Sequence, residues 1–104
     1  MFIDFNRDNQ VQDNEASQEQ VESIVNHRLS RLDGKVTSAQ VHLAHVRETK
    51  SSNPDYRCSI EIRPENLSPV AASAEGAGVD AVVRAACDKV LHAYDKVVGK
   101  QGAR

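Results

Sequence analysis

Lys89, His92, Lys96 and Lys100 recur three or four residues apart near the end of a 104-residue chain. On a helix that spacing brings them to one side, as a ridge of cationic or titratable groups. The chemistry open to such a ridge is neutralisation of a phosphate backbone, because regularly spaced cations on a rigid element displace condensed counterions. Arg28 and Arg31, with His27 beside them, form a second basic cluster earlier in the chain. If the elements carrying the two clusters pack side by side, both basic edges border one groove. The two histidines, His27 and His92, gain charge in acid, so phosphate binding is expected to tighten there. A plainer reading of the later cluster is a solvated helix face. Asp80–Arg84, Arg84–Asp88 and Asp88–His92 are each four apart and are spaced to pair locally.

Other combinations fall short of a reaction. His42 and His45 are separated by an odd interval on a strand-like run, which sends them to opposite faces and precludes a shared metal. Cys58 and Cys87 form neither a disulfide framework nor a metal motif and read as buried thiols on inward faces, near enough to touch. Neither has a base marked beside it. Gly76-Ala77-Gly78 lacks the Lys-Ser/Thr that follows a phosphate-cradling loop, and no carboxylate pair stands out as acid and base. The sequence therefore predicts no enzyme, no metal site, no cofactor and no small-molecule substrate.

The elements that must position these groups are legible from hydrophobic spacing. Ile3 and Phe5 alternate with Asp4 and Asn6, predicting a strand over 1–6. Ser17 with Gln20 is a capping box, and Val21, Ile24, Val25, Leu29 and Leu32 follow at helical intervals, predicting a helix over 17–33 that Gly34 stops. Ala39, Val41 and Leu43 alternate, as do Tyr56, Cys58, Ile60 and Ile62, with a polar turn or loop over 50–55 between them. Residues 67–75 complete a fourth strand, with Val70, Ala72 and Ala74 on one side. From Val79, the residues Val82, Val83, Ala86, Val90, Tyr94 and Val97 make the apolar stripe of a second long helix. The fold class is α+β, in the order β-α-β-β-β-α. A four-stranded mixed sheet has both helices on one face, with the first two strands parallel.

At this length the chain is one domain, 1–104, with an ordered core over 1–98 and a flexible tail over 99–104. The net charge is −2, yet it is unevenly spread: residues 1–20 carry five carboxylates against Arg7, and 84–104 carry five cations against Asp88 and Asp95. No apolar run is long enough for a membrane span, and the start lacks the pattern of a signal peptide, so the expected location is the cytoplasm. The outer sheet face, with Arg57, Ser59, Glu61 and Arg63, is mixed in sign and lacks aromatic platforms for unpaired bases. Nucleic-acid contact is therefore expected from helix edges.

Several strings, in order, resemble the bacterial ribosome hibernation-promoting factor family, also known as ribosome-associated inhibitors or sigma-54 modulation proteins. They are Ile3-Asp4-Phe5, then Ile24-Val25-Asn26-His27-Arg28-Leu29-Ser30-Arg31-Leu32-Asp33, Val36-Thr37-Ser38-Ala39-Gln40-Val41-His42-Leu43 and Val70-Ala71-Ala72-Ser73-Ala74-Glu75. Asp88-Lys89-Val90 falls where the family often has an acidic-Lys-Leu step. The resemblance implies a domain like a double-stranded-RNA-binding fold. It also implies docking in the messenger and transfer RNA channel of the small ribosomal subunit, with translation blocked in stress or stationary phase. It implies a short member that lacks the domain that pairs ribosomes, and the chain is expected to be a monomer. The family's basic positions map onto His27, Arg28 and Arg31, and onto Lys89, His92 and Lys96, with Lys100 as an extension. His92 stands where Arg is common and Asp95 where Lys is often found, so the ridge is thinner than usual. The alternative is a protein-interaction module that kept the fold and lost the ribosome; a third reading is a homodimer through an open sheet edge.

Overall fold

The computed structural model describes residues 1–8, 11–12, 14, 16–46 and 55–102, with side chains as far as Gly99. Its elements run β1 (Phe2–Arg7), α1 (Gln18–Arg28), a 3-10 turn (Ser30–Leu32), β2 (Val36–His45), β3 (Tyr56–Pro64), β4 (Val70–Gly76) and α2 (Val79–Gly102). The order matches the sequence expectation, and the class is α+β. Much of the loop expected over 50–55 lies outside the described residues.

The strands lie in the order β1-β2-β3-β4. β1 runs parallel to β2, with Ile3 opposite Ala39 and Phe5 opposite Val41. β2–β3 and β3–β4 are antiparallel, with Val41 opposite Ile60 and Ile60 opposite Ala72. The β2–β3 register shifts between Val36 and Ser38, and Thr37 is the extra residue. Its hydroxyl donates to the Arg63 carbonyl at 3.0 Å, which keeps a ladder acceptor satisfied at the bulge.

Alternation decides which face is covered. Tyr56, Cys58, Ile60 and Ile62 point inward with Ala39, Val41 and Leu43, and both helices lie on that face. Val21, Val25, Leu29 and Leu32 from the first helical region meet Val82, Val83, Ala86, Cys87 and Val90 from α2 over this sheet. No polar or charged residue is buried among those described. Folding therefore rests on apolar burial, and the charged groups stay available on the surface. His45 stacks obliquely on Tyr56 with ring centroids 5.0 Å apart.

Two local expectations are corrected. The first helix is not continuous to residue 33: α1 ends at Arg28 and Leu29 leaves helical geometry at φ −101, ψ 16. A 3-10 turn follows, closed by the Leu32 amide on the Leu29 carbonyl at 2.9 Å. Residues three apart align in such a turn, so Leu29 and Leu32 both enter the core. Gly34 then takes φ +85, as a helix-terminating glycine should. The capping box is also only half made. The Gln20 amide donates to the Ser17 hydroxyl at 3.1 Å, but the Gln20 side chain bonds Asp80 on α2 instead of returning to Ser17. α2 itself runs past Gly99 to Gly102.

Candidate nucleic-acid interface

α1 and α2 lie side by side, α1 against β1 and α2 against β3 and β4. The flank of α2 turned away from α1 therefore looks toward the β4 edge of the sheet. Successive residues on a helix turn by about 100°, so Asp88 and Lys89 cannot share a flank. Asp88 and Asp95 form one stripe, seven residues apart, and Lys89 and Lys96 form a second stripe about a quarter-turn further round.

The acidic stripe faces α1. Arg28 Nη1 lies 3.2 Å from Asp88 Oδ1, and Arg31 Nη2 lies 2.8 Å from Asp95 Oδ2. With Gln20 bonded to Asp80, three contacts stitch the helix seam. The local pairs read from four-residue spacing do not form, because Asp80 and Asp88 point across to the neighbouring helix instead of along their own. Arg84, spaced four residues from both Asp80 and Asp88, is exposed and has no carboxylate partner among the described residues. The signal that could have found these contacts is the seven-residue repeat of Asp88 and Asp95, which matches the repeat of the lysines.

Lys89, His92 and Lys96 are exposed and make no ion pair or hydrogen bond among the described residues. His27, on α1, is likewise exposed without a carboxylate partner among them. The side chain of Lys100 lies outside the described residues. The structure thus does not gather the two basic clusters around one groove. It places Arg28 and Arg31 at the seam, each against a carboxylate, and Lys89 and Lys96 on the far flank of α2.

Other surfaces offer a polyanion less. On the open sheet face Arg57 Nε donates to Glu75 at 2.9 Å, and Arg63 lies 3.8 Å from Glu61. A cleft of about 400 Å³ between β1 and α1 has Asp4 and Glu22 as its charged side chains. The β1–α1 cleft thus presents carboxylates, whereas Lys89 and Lys96, without an ion pair among the described residues, lie toward the β4 side.

The core cysteines are no part of a site. Both are free and fully buried. Burial pushes the Cys58 thiol up to about 12, with a further rise from nearby Cys87. Burial likewise raises Cys87 to about 12, with Asp88 adding to the rise and Arg28 opposing it. Thiols held this firmly protonated are poor nucleophiles.

Comparison with known proteins gives a consistent fold. A crystal structure of the Thermus thermophilus Protein Y N-terminal domain superposes with a TM-score of 0.67 at 18% identity, covering 93% of this chain and 99% of that one. The structure of a ribosomal subunit interface protein from Coxiella burnetii gives a TM-score of 0.67 at 13% identity, covering 94% and 99%. No curated protein matches the chain. Residues 10–102 match the family described as sigma 54 modulation protein / S30EA ribosomal protein. That match spans the seam, strands β2 to β4 and the lysine flank, and the chain belongs to this family.

Proposed function

We propose that this protein is a ribosome-associated translation inhibitor of the hibernation type. It docks on the small ribosomal subunit in the channel for messenger and transfer RNA and acts by occupying that space. Its partner there is ribosomal RNA, and its place of action is the cytoplasm. It works as a monomer, without cofactor or metal, and without chemistry on a substrate.

The observation that carries this reading, beside family membership, is the pair of exposed lysines on α2, Lys89 and Lys96, with His92 between them and no carboxylate holding them among the described residues. Two turns of helix separate Lys89 from Lys96, about 10 Å along the axis. The helix fixes the spacing of the two cations before they meet phosphates, and carboxylates in the β1–α1 cleft help orient the approach. Lys100, one turn beyond Lys96, extends the same stripe by spacing. His27 and Arg28 from α1, and Arg31 from the 3-10 turn after it, border the same helical layer.

The two arginine–carboxylate pairs favour one competing reading, a protein-interaction module that no longer binds ribosomes. Co-sedimentation separates the two. Purified protein mixed with vacant bacterial small subunits at low salt is expected in the ribosomal pellet, and a saturating amount should suppress translation in a cell-free system. Protein that stays in the supernatant would end the ribosome reading.

A further inference from the structure

The helix seam holds an electrostatic arrangement with a consequence for affinity. Arg28 and Arg31 are the cations of the first helical region that border the helix layer, and each meets a carboxylate of α2 at 3.2 Å and 2.8 Å. The four side chains are roughly half exposed, with side-chain exposures of 39% and 60% for Arg28 and Asp88, and 51% and 54% for Arg31 and Asp95. Pairs this wet contribute little to stability. Their electrostatic effect on a polyanion is larger. A phosphate approaching either arginine also approaches the carboxylate that holds it, so attraction and repulsion nearly cancel. The carboxylates of Asp88 and Asp95 are positioned to act as internal counter-ions.

We infer that Asp88 and Asp95 withhold Arg28 and Arg31 from RNA, so that the helix seam sets how strongly this protein binds the ribosome. The inference rests on the ribosome-binding reading above and adds its regulation. In the resting protein, Lys89 and Lys96 do the binding and the arginines are silent. Removing the two carboxylates frees the arginines for two further phosphate contacts.

The test uses the full chain and vacant small subunits, with dissociation constants measured by sedimentation at several salt concentrations. Asp88→Asn with Asp95→Asn keeps side-chain size and removes both counter-ions. This variant is expected to bind about tenfold more tightly, and its log–log salt slope should steepen by about one unit per freed arginine. Asp80→Asn is the control, since it removes the same charge from the same helix where the partner is Gln20, not an arginine. It should give less than half the gain per charge. Adding Arg28→Ala and Arg31→Ala should cancel the gain in the double Asn variant, yet leave the otherwise wild-type protein nearly unchanged.

Three results would overturn the inference: an unchanged double Asn variant, an equal gain per charge from Asp80→Asn, or a loss in Arg28→Ala/Arg31→Ala as large as that from reversing the lysines. The last measurement stands even if the double Asn variant fails to fold. If the wild type binds through its lysines and any of these results appears, only the seam inference falls. If neither the wild type nor any variant reaches the pellet, the ribosome reading falls and the inference with it.

Discussion

Reversing Lys89 and Lys96 to Glu isolates the far flank of α2 from everything else in the molecule. Both side chains are exposed, and neither has a carboxylate partner among the described residues. The double variant should therefore fold normally, within about 0.5 kcal/mol per substitution. Its effect on RNA binding should be large. Each phosphate contact contributes about 0.9 to the log–log slope of affinity against salt on a duplex, and about 0.7 on a single strand. Losing two contacts flattens the slope by roughly 1.4 to 1.8 units. A fourfold rise in salt should then weaken the wild type about tenfold more than the variant. At low salt the variant is weaker outright, because two attractions have become two repulsions. The assay is co-sedimentation with small subunits over a salt series, with thermal unfolding run in parallel. Parallel salt slopes for wild type and variant, with folding intact, would refute the claim that these lysines meet phosphates.

Further outcomes concern the fold. The buried thiols of Cys58 and Cys87 ionise near their ordinary range only after unfolding, since burial lifts both to about 12. Above about pH 9 the unfolded chain therefore binds fewer protons than the folded one, and stability should fall with rising pH toward 12. The slope is about 1 kcal/mol per pH unit for each thiol, measured by denaturant unfolding; replacing both with Ala should flatten it. Ile60→Ala at the centre of the covered sheet face, where Ile60 is fully buried, should cost about 2–5 kcal/mol in the same measurement. Gly34→Ala should cost about 1 kcal/mol through its φ of +85 alone, because an added Cβ there meets nothing within 4 Å, and Gly34→Asn should cost less.

The elements were legible because burial on one face leaves a period in the residues. Tyr56, Cys58, Ile60 and Ile62 could alternate only if one side of β3 were covered, and the stripe from Val82 to Tyr94 required a helix with one face inward. The order of two amphipathic helices and four strands then left few architectures. Where local rules failed, a contact from elsewhere had won. Gln20 gave up the capping box for Asp80, sixty residues away, and Leu29 left the helix so that it and Leu32 could both reach the core.

From its sequence alone this protein was bound to be a sheet with two helices on one face, and to carry lysines in line along the second helix. Periodicity and charge spacing are local properties, and they survive any choice of packing. The fate of Arg28 and Arg31 was not local. Only the docking of α1 on one flank of α2 brought Asp88 and Asp95 against them and left Lys89 and Lys96 on the other flank. Spacing along a helix fixes the angle between two stripes; which stripe meets a neighbour is decided by how the helices share the sheet.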